Sequence, residues 1–160
     1  MSIKSWMTYL SLLLVNVLLV FLVEIFTVVR SEPTYSGNGN LGWLLLYPGW
    51  AILIMLMLFT FVIAVRYFDT LQDYIAKLPS HSLVPCLSVV TLLFALYLQL
   101  RKIKNTLISL HDSGDEESLI RLLWPINNYT NSLYYNAYIL LFSVSFAILG
   151  GWWVVQKRTN

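Results

Sequence analysis

Four apolar runs, at about residues 6–29, 43–65, 82–100 and 133–155, dominate this 160-residue chain. Each is long enough to cross a hydrocarbon core of about 30 Å, which takes roughly 20 helical residues. The expected fold is therefore all-α: a polytopic membrane protein with four transmembrane helices and short amphipathic helical extensions. A single domain spans residues 1–160, with spans at about 5–29, 43–65, 82–100 and 133–155 and an extramembrane helical loop over 101–132.

Composition narrows the function classes. The chain is 58% hydrophobic and 11% charged, with a mean hydropathy of +0.70. A soluble domain of this size needs far more polar surface. The runs leave too few residues for a separate enzyme module. The net charge of +2 is small, and no basic stripe lies outside residues 101–104, which argues against direct nucleic-acid binding. The single cysteine, Cys86, lies inside the third run. It makes neither an intrachain disulfide nor a CxxC pair, and it reads as a small buried apolar residue. The first run, about 24 residues, is too long for a signal-peptide core and reads as a retained span.

Between the spans the chain changes character. Residues 30–42 hold Pro33, Gly37, Asn38, Gly39, Asn40 and Gly42, which is turn chemistry without helical period. Leu41 to Leu46 are expected along the membrane interface, with Pro48 opening the second span. Past that span Phe68, Leu71 and Ile75 recur at three- and four-residue steps, and Asp73 and Lys77 form an i,i+4 pair. They predict an amphipathic extension over 66–78, ended by Pro79, with a face for an interface or a partner. Pro85 is expected in the first turn of span 3. Beyond Leu100 the pattern is again amphipathic, with Ile103 and Leu107 on one face and Arg101, Lys102, Lys104 and Asn105 on others. A helix protruding to about His111 is expected, followed by a capping box at residues 113–116 and a second short helix ended at Trp124-Pro125. Tyr129, Tyr134, Tyr135 and Tyr138 read as an aromatic belt ahead of span 4, and Trp152, Trp153, Lys157 and Arg158 as anchors at its end.

Lysine and arginine do not orient the chain. Lys4, Arg66, Lys77, Lys157 and Arg158 fall on one side; Arg30, Arg101, Lys102, Lys104 and Arg121 fall on the other. The expectation is a bacterial inner-membrane protein with both termini cytoplasmic. It follows the habit of bacterial four-span proteins and the outward-loop character of residues 30–42.

Few residues carry chemistry. Glu24 is the only acid well inside a span, and a charged carboxylate in hydrocarbon costs about 2.5–3.5 kcal/mol on insertion scales. Asn16 lies about 2.2 helical turns earlier, so a polar stripe on one face is expected. Two readings follow: a coupling site, as in small multidrug exporters, or an interhelical contact with Glu24 snorkelling near the span end. Ser143, Ala147 and Gly151 recur every four residues, a spacing that lets helices approach closely within or between protomers. His81 and His111 belong on opposite faces and cannot share a metal. Asp112, Asp115, Glu116 and Glu117 lack EF-hand spacing and suit a helix start. No nucleophile elbow, HExxH, P-loop or dinucleotide fingerprint occurs, so neither an enzyme nor a cofactor is expected.

The layout resembles the small four-span membrane subunits of bacterial phage-defence systems, of the Kiwa type, which work with a soluble DNA-binding partner. The resemblance rests on size, four spans and the polar loop over 101–131, and it covers the whole chain. It implies a homo-oligomeric membrane sensor that recruits or restrains a cytoplasmic effector. No motif matches, so no residue role is carried over. Bacteriocin-immunity and superinfection-exclusion proteins share the outline. The expected function is a non-enzymatic sensor, anchor or scaffold working in the bilayer with copies of itself and a second protein. The alternative is an oligomeric channel or small transporter using Glu24.

Overall fold

In hydrocarbon, every backbone N–H and C=O must find a partner inside the protein, so apolar runs of this length form helices. The computed structural model describes residues 3–27, 41–74, 80–111 and 130–159. Its helices are α1 (Ile3–Ile25), α2 (Leu41–Tyr74), α3 (Ser80–His111), α4 (Asn131–Tyr134) and α5 (Ala137–Thr159). Among the described residues four segments are long and apolar enough to cross a membrane: Ile3–Ile25, Leu44–Thr70, Leu83–Ile108 and Asn131–Arg158. The fold is all-α, with no strand among the described residues. The extension of α3 to His111 matches the amphipathic pattern past Leu100. Residues 112–129, where the capping box and second loop helix are expected, lie outside the described residues.

The long helices pack as a curved row. α2 lies between α1 and α5, and α5 lies between α2 and α3. The middle helices accordingly bury more of their apolar windows, 28% and 33%, than the outer α1 and α3 at 11% and 17%. One core, of Leu19, Val20, Val23, Leu46, Leu53 and Tyr135, joins α1, α2 and the segment before α5. A second, of Ala64, Phe68 and Val155 with Val84 and Trp152 against it, joins α2, α3 and α5. These cores define two ends. The Arg158 end holds the starts of α1 and α3. The Lys102 end holds the finish of α1, the start of α2 and the polar segment 130–136.

Three local expectations change. α2 begins at Leu41, not at Pro48, which sits inside the helix. Leu46 is buried in the first core, so this stretch packs inward rather than lying along the interface. Pro48 lacks the N–H that would reach the Leu44 carbonyl. α3 likewise starts at Ser80, which puts Pro85 just past the first turn. Cys86 is exposed rather than buried; on an outer helix a small apolar group is as well satisfied by lipid as by protein.

The small-residue stripe of α5 is used within the chain. Ser143 and Ala147 are buried, and a β-carbon on Gly151 would stand 2.6 Å from that of Ala64 and 3.0 Å from the Val65 backbone nitrogen. Gly151 thus lets α2 and α5 approach closely at Ala64 and Val65.

Candidate functional site

The most concentrated chemistry lies at the Lys102 end, where the fourth span is interrupted. α4 is a single turn. Tyr135 then takes an extended conformation, φ −149° and ψ 105°. Helix resumes at Ala137 because Asn136 caps it: its Oδ1 accepts from the N–H of Tyr138 at 2.8 Å and of Ile139 at 3.1 Å. This is the bonding expected of an asparagine N-cap. The positive end of α5 is therefore already filled by the chain's own amide oxygen.

The break throws Tyr135 across the bundle. Its hydroxyl donates to Asn16 Oδ1 at 2.7 Å. Asn16 Nδ2 donates to the Leu12 carbonyl at 2.9 Å and more weakly to that of Ile52 at 3.4 Å. Three segments thus meet at one amide: α1, α2 and the linker between α4 and α5. Gly49 makes room for this, since a β-carbon there would press on the Tyr135 ring at 3.1 Å. Gly42 plays the same part beside the Asn131 amide.

A second group of bonds ties in α3. Asn136 Nδ2 donates to Gln99 Oε1 at 2.9 Å and to the Ser132 carbonyl at 2.7 Å. Gln99 Nε2 donates to the Leu133 carbonyl, also at 2.9 Å. The Ser132 N–H donates to Thr27 Oγ1 at 3.1 Å. About 12 Å further along α1 than Asn16, by helical rise, Lys102 Nζ reaches Glu24 Oε1 at 2.9 Å. Apart from this pair at the rim, the network is built of amides, hydroxyls and carbonyls. It has donors matched to acceptors and no nucleophile beside a base. It holds four segments in register: α1, α2, α3 and the linker ahead of α5.

The residues singled out from the sequence fall into three groups. Asn16 is fully buried, whereas Glu24 is exposed and ion-paired. Eight helical steps leave the two about 80° apart around α1, enough to turn one inward and the other to the rim, so they form no common buried stripe. Phe68, expected on a partner face, is instead 1% exposed in the second core; its aromatic area is worth more against Ala64 and Val155 than at the surface. Leu71 lies on α2 within Leu41–Tyr74, and Ile75 lies outside the described residues. Arg101 and Lys104 are exposed, Lys102 and Leu107 half-buried. Tyr135, expected in an aromatic belt, is 1% exposed in the first core. No group of three or more His, Cys, Asp or Glu able to hold a metal occurs among the described residues.

Sequence reasoning missed Gln99, Tyr135 and the capping role of Asn136. An Asn just ahead of a long apolar run is an N-cap signal in its own right. Nothing local marks Tyr135 for Asn16. Comparison with protein-family models, with curated proteins and with solved structures gives no match.

Proposed function

We propose that this chain is a non-enzymatic membrane subunit, a scaffold or sensor that assembles with copies of itself and holds a second protein at the bilayer. The observation that carries this reading is the α3 extension. Helix continues from Lys102 to His111, about 13 Å by helical rise. Along it Arg101 and Lys104 are exposed, and neither is used in an ion pair among the described residues. The buried amides and hydroxyl at the Lys102 end, by contrast, satisfy one another, so at that end the outward surface is the one left for a partner. α1 and α3, with most of their apolar windows uncovered, supply faces for lipid or for further copies. The finer reading is a bacterial inner membrane with both termini cytoplasmic, which puts the α3 extension and the partner it holds on the outer face, and a place in phage defence; that last element rests on size, span count and the polar loop.

The test is purification in mild detergent, with the mass of the intact complex determined. A soluble partner in fixed ratio is expected, lost from Arg101→Glu/Lys104→Glu while the protein itself stays monodisperse. A partner-free homo-oligomer that passes ions in liposomes would overturn the reading in favour of a pore. Glu24 supports that alternative poorly, because its charge is already met by Lys102 in the same chain.

A further inference from the structure

At the Arg158 end the row of helices does not close, and a cleft of about 670 Å³ opens between the starts of α1 and α3. Its inner part is apolar, formed by Ile63, Ala64, Val84 and Ile148. The hydroxyl of Thr60 on this wall is spent on its own helix, donating to the Leu56 carbonyl at 2.8 Å. Toward the membrane surface the lining becomes aromatic and charged. Trp6 and Tyr9, set edge to face at 6.2 Å, flank one side, and Arg66 and Asp69 stand at the mouth. Asp69 already faces Arg158 at 3.7 Å. Arg66 is exposed and makes no ion pair among the described residues. Among the described residues the mouth therefore sets Arg66 and Arg158 against Asp69, one positive charge in excess above an apolar slot.

We propose that this cleft holds an anionic phospholipid of the surrounding bilayer, one acyl chain in the slot and the phosphate at Arg66. Three features choose this occupant. The gradient from apolar wall to cationic mouth follows the direction of a lipid, tail inward and headgroup at the aromatic belt. The volume suits a small ligand; pockets for such molecules run from about 300 to 1,000 Å³. It is too small for a partner helix, since two turns of a helix 10 Å across already fill about 850 Å³. The charge selects a phosphate without a balancing cation, because each arginine near an anionic surface contributes about 1 kcal/mol, or about fivefold in occupancy. The site is independent of the subunit reading above: it uses the opposite end of the bundle from the α3 extension.

Native mass spectrometry of the full chain, released from detergent doped with phosphatidylglycerol or phosphatidylcholine of identical acyl chains, tests it. Phosphatidylglycerol should be retained over phosphatidylcholine. Arg66→Gln should cut that retention about fivefold, and Lys104→Gln, an equal charge change at the far end, should leave it intact. Ile63→Trp, which fills the slot, should abolish retention of both lipids while the melting temperature stays near that of the parent. Equal retention of the two lipids, or retention indifferent to Arg66, would overturn the proposal. So would dimers that Ile63→Trp dissolves in the absence of lipid retention, since they would assign the cleft to a second copy.

Discussion

A single buried amide decides how the Lys102 end is held. Asn16 is the only buried polar residue of α1, yet each of its polar atoms has a partner: Oδ1 the Tyr135 hydroxyl, Nδ2 the carbonyls of Leu12 and Ile52. Hydrogen bonds between membrane helices average about 0.6 kcal/mol and reach about 1.7. The larger quantity is what one partner costs when the other is removed, about 1–3 kcal/mol for a stranded buried group. Asn16→Leu strands the Tyr135 hydroxyl, so it should destabilise the protein by about that amount. Adding Tyr135→Phe removes the stranded group, and the double variant should recover part of the loss. Unfolding in graded denaturing detergent, run as a double-mutant cycle, checks this. Strictly additive losses would mean that the two side chains do not work as a pair. The same logic explains why Tyr135 is not a belt residue: its hydroxyl is satisfied by Asn16, not by the membrane surface.

At the scale of elements, neighbouring glycines on α5 make the sharpest contrast. A β-carbon on Gly150 would meet the Phe61 ring at 3.5 Å, an ordinary contact, whereas on Gly151 it would meet Ala64 and the α2 backbone at 2.6–3.2 Å. Gly150→Ala should therefore be tolerated and gain a little from its better helix propensity, up to about 1 kcal/mol. Gly151→Ala must push α2 and α5 apart and should cost about 1–3 kcal/mol, the usual range for overpacking. Parallel thermal melts of the two variants settle it, and equal tolerance would mean that α2 and α5 are not in the described contact. This close approach was legible in the sequence, because small residues at four-residue spacing have one common use in a membrane. The helices themselves were legible for a plainer reason, that the solvent leaves an apolar run no other structure. The early start of α2 and the break before α5 were not. Both depend on partners remote in sequence: Leu46 is drawn into a core with Leu19 and Val23, and the break at Tyr135 is stabilised by Asn16, Gln99 and the space above Gly49. A propensity argument sees Pro48 as a start signal because it cannot see what residues 41–46 bury.

At the scale of the whole molecule, a row of four helices with α1 and α3 at its edges needs something to join those edges. At the Lys102 end the short α4, which touches α1, α2 and α3, and the Glu24–Lys102 pair do so. The pair is at the rim, with side chains 57% and 20% exposed, and such exposed pairs contribute about 0–1 kcal/mol. Glu24→Gln should thus shift the melt only slightly, Glu24→Lys should shift it further by setting like charges together, and Glu24→Lys/Lys102→Glu should return it toward the parent. A loss that the swap fails to repair, with ion flux abolished by Glu24→Gln alone, would instead make the carboxylate a transport group. The same arrangement fixes which residues share a side of the membrane. The Arg158–Asp69 pair and the cleft put α1's start and α5's finish together, and Lys102 lies at the other end with Glu24. On a Cys86→Ser background, an impermeant maleimide added to intact cells should label Asn105→Cys and spare Lys157→Cys if both termini are cytoplasmic. The reverse pattern would invert the orientation while leaving the fold intact. Labelling of both sites from one side is the outcome the row cannot accommodate, because it would require α3 and α5 to run in the same direction, and the Lys102 and Arg158 ends would no longer be opposite.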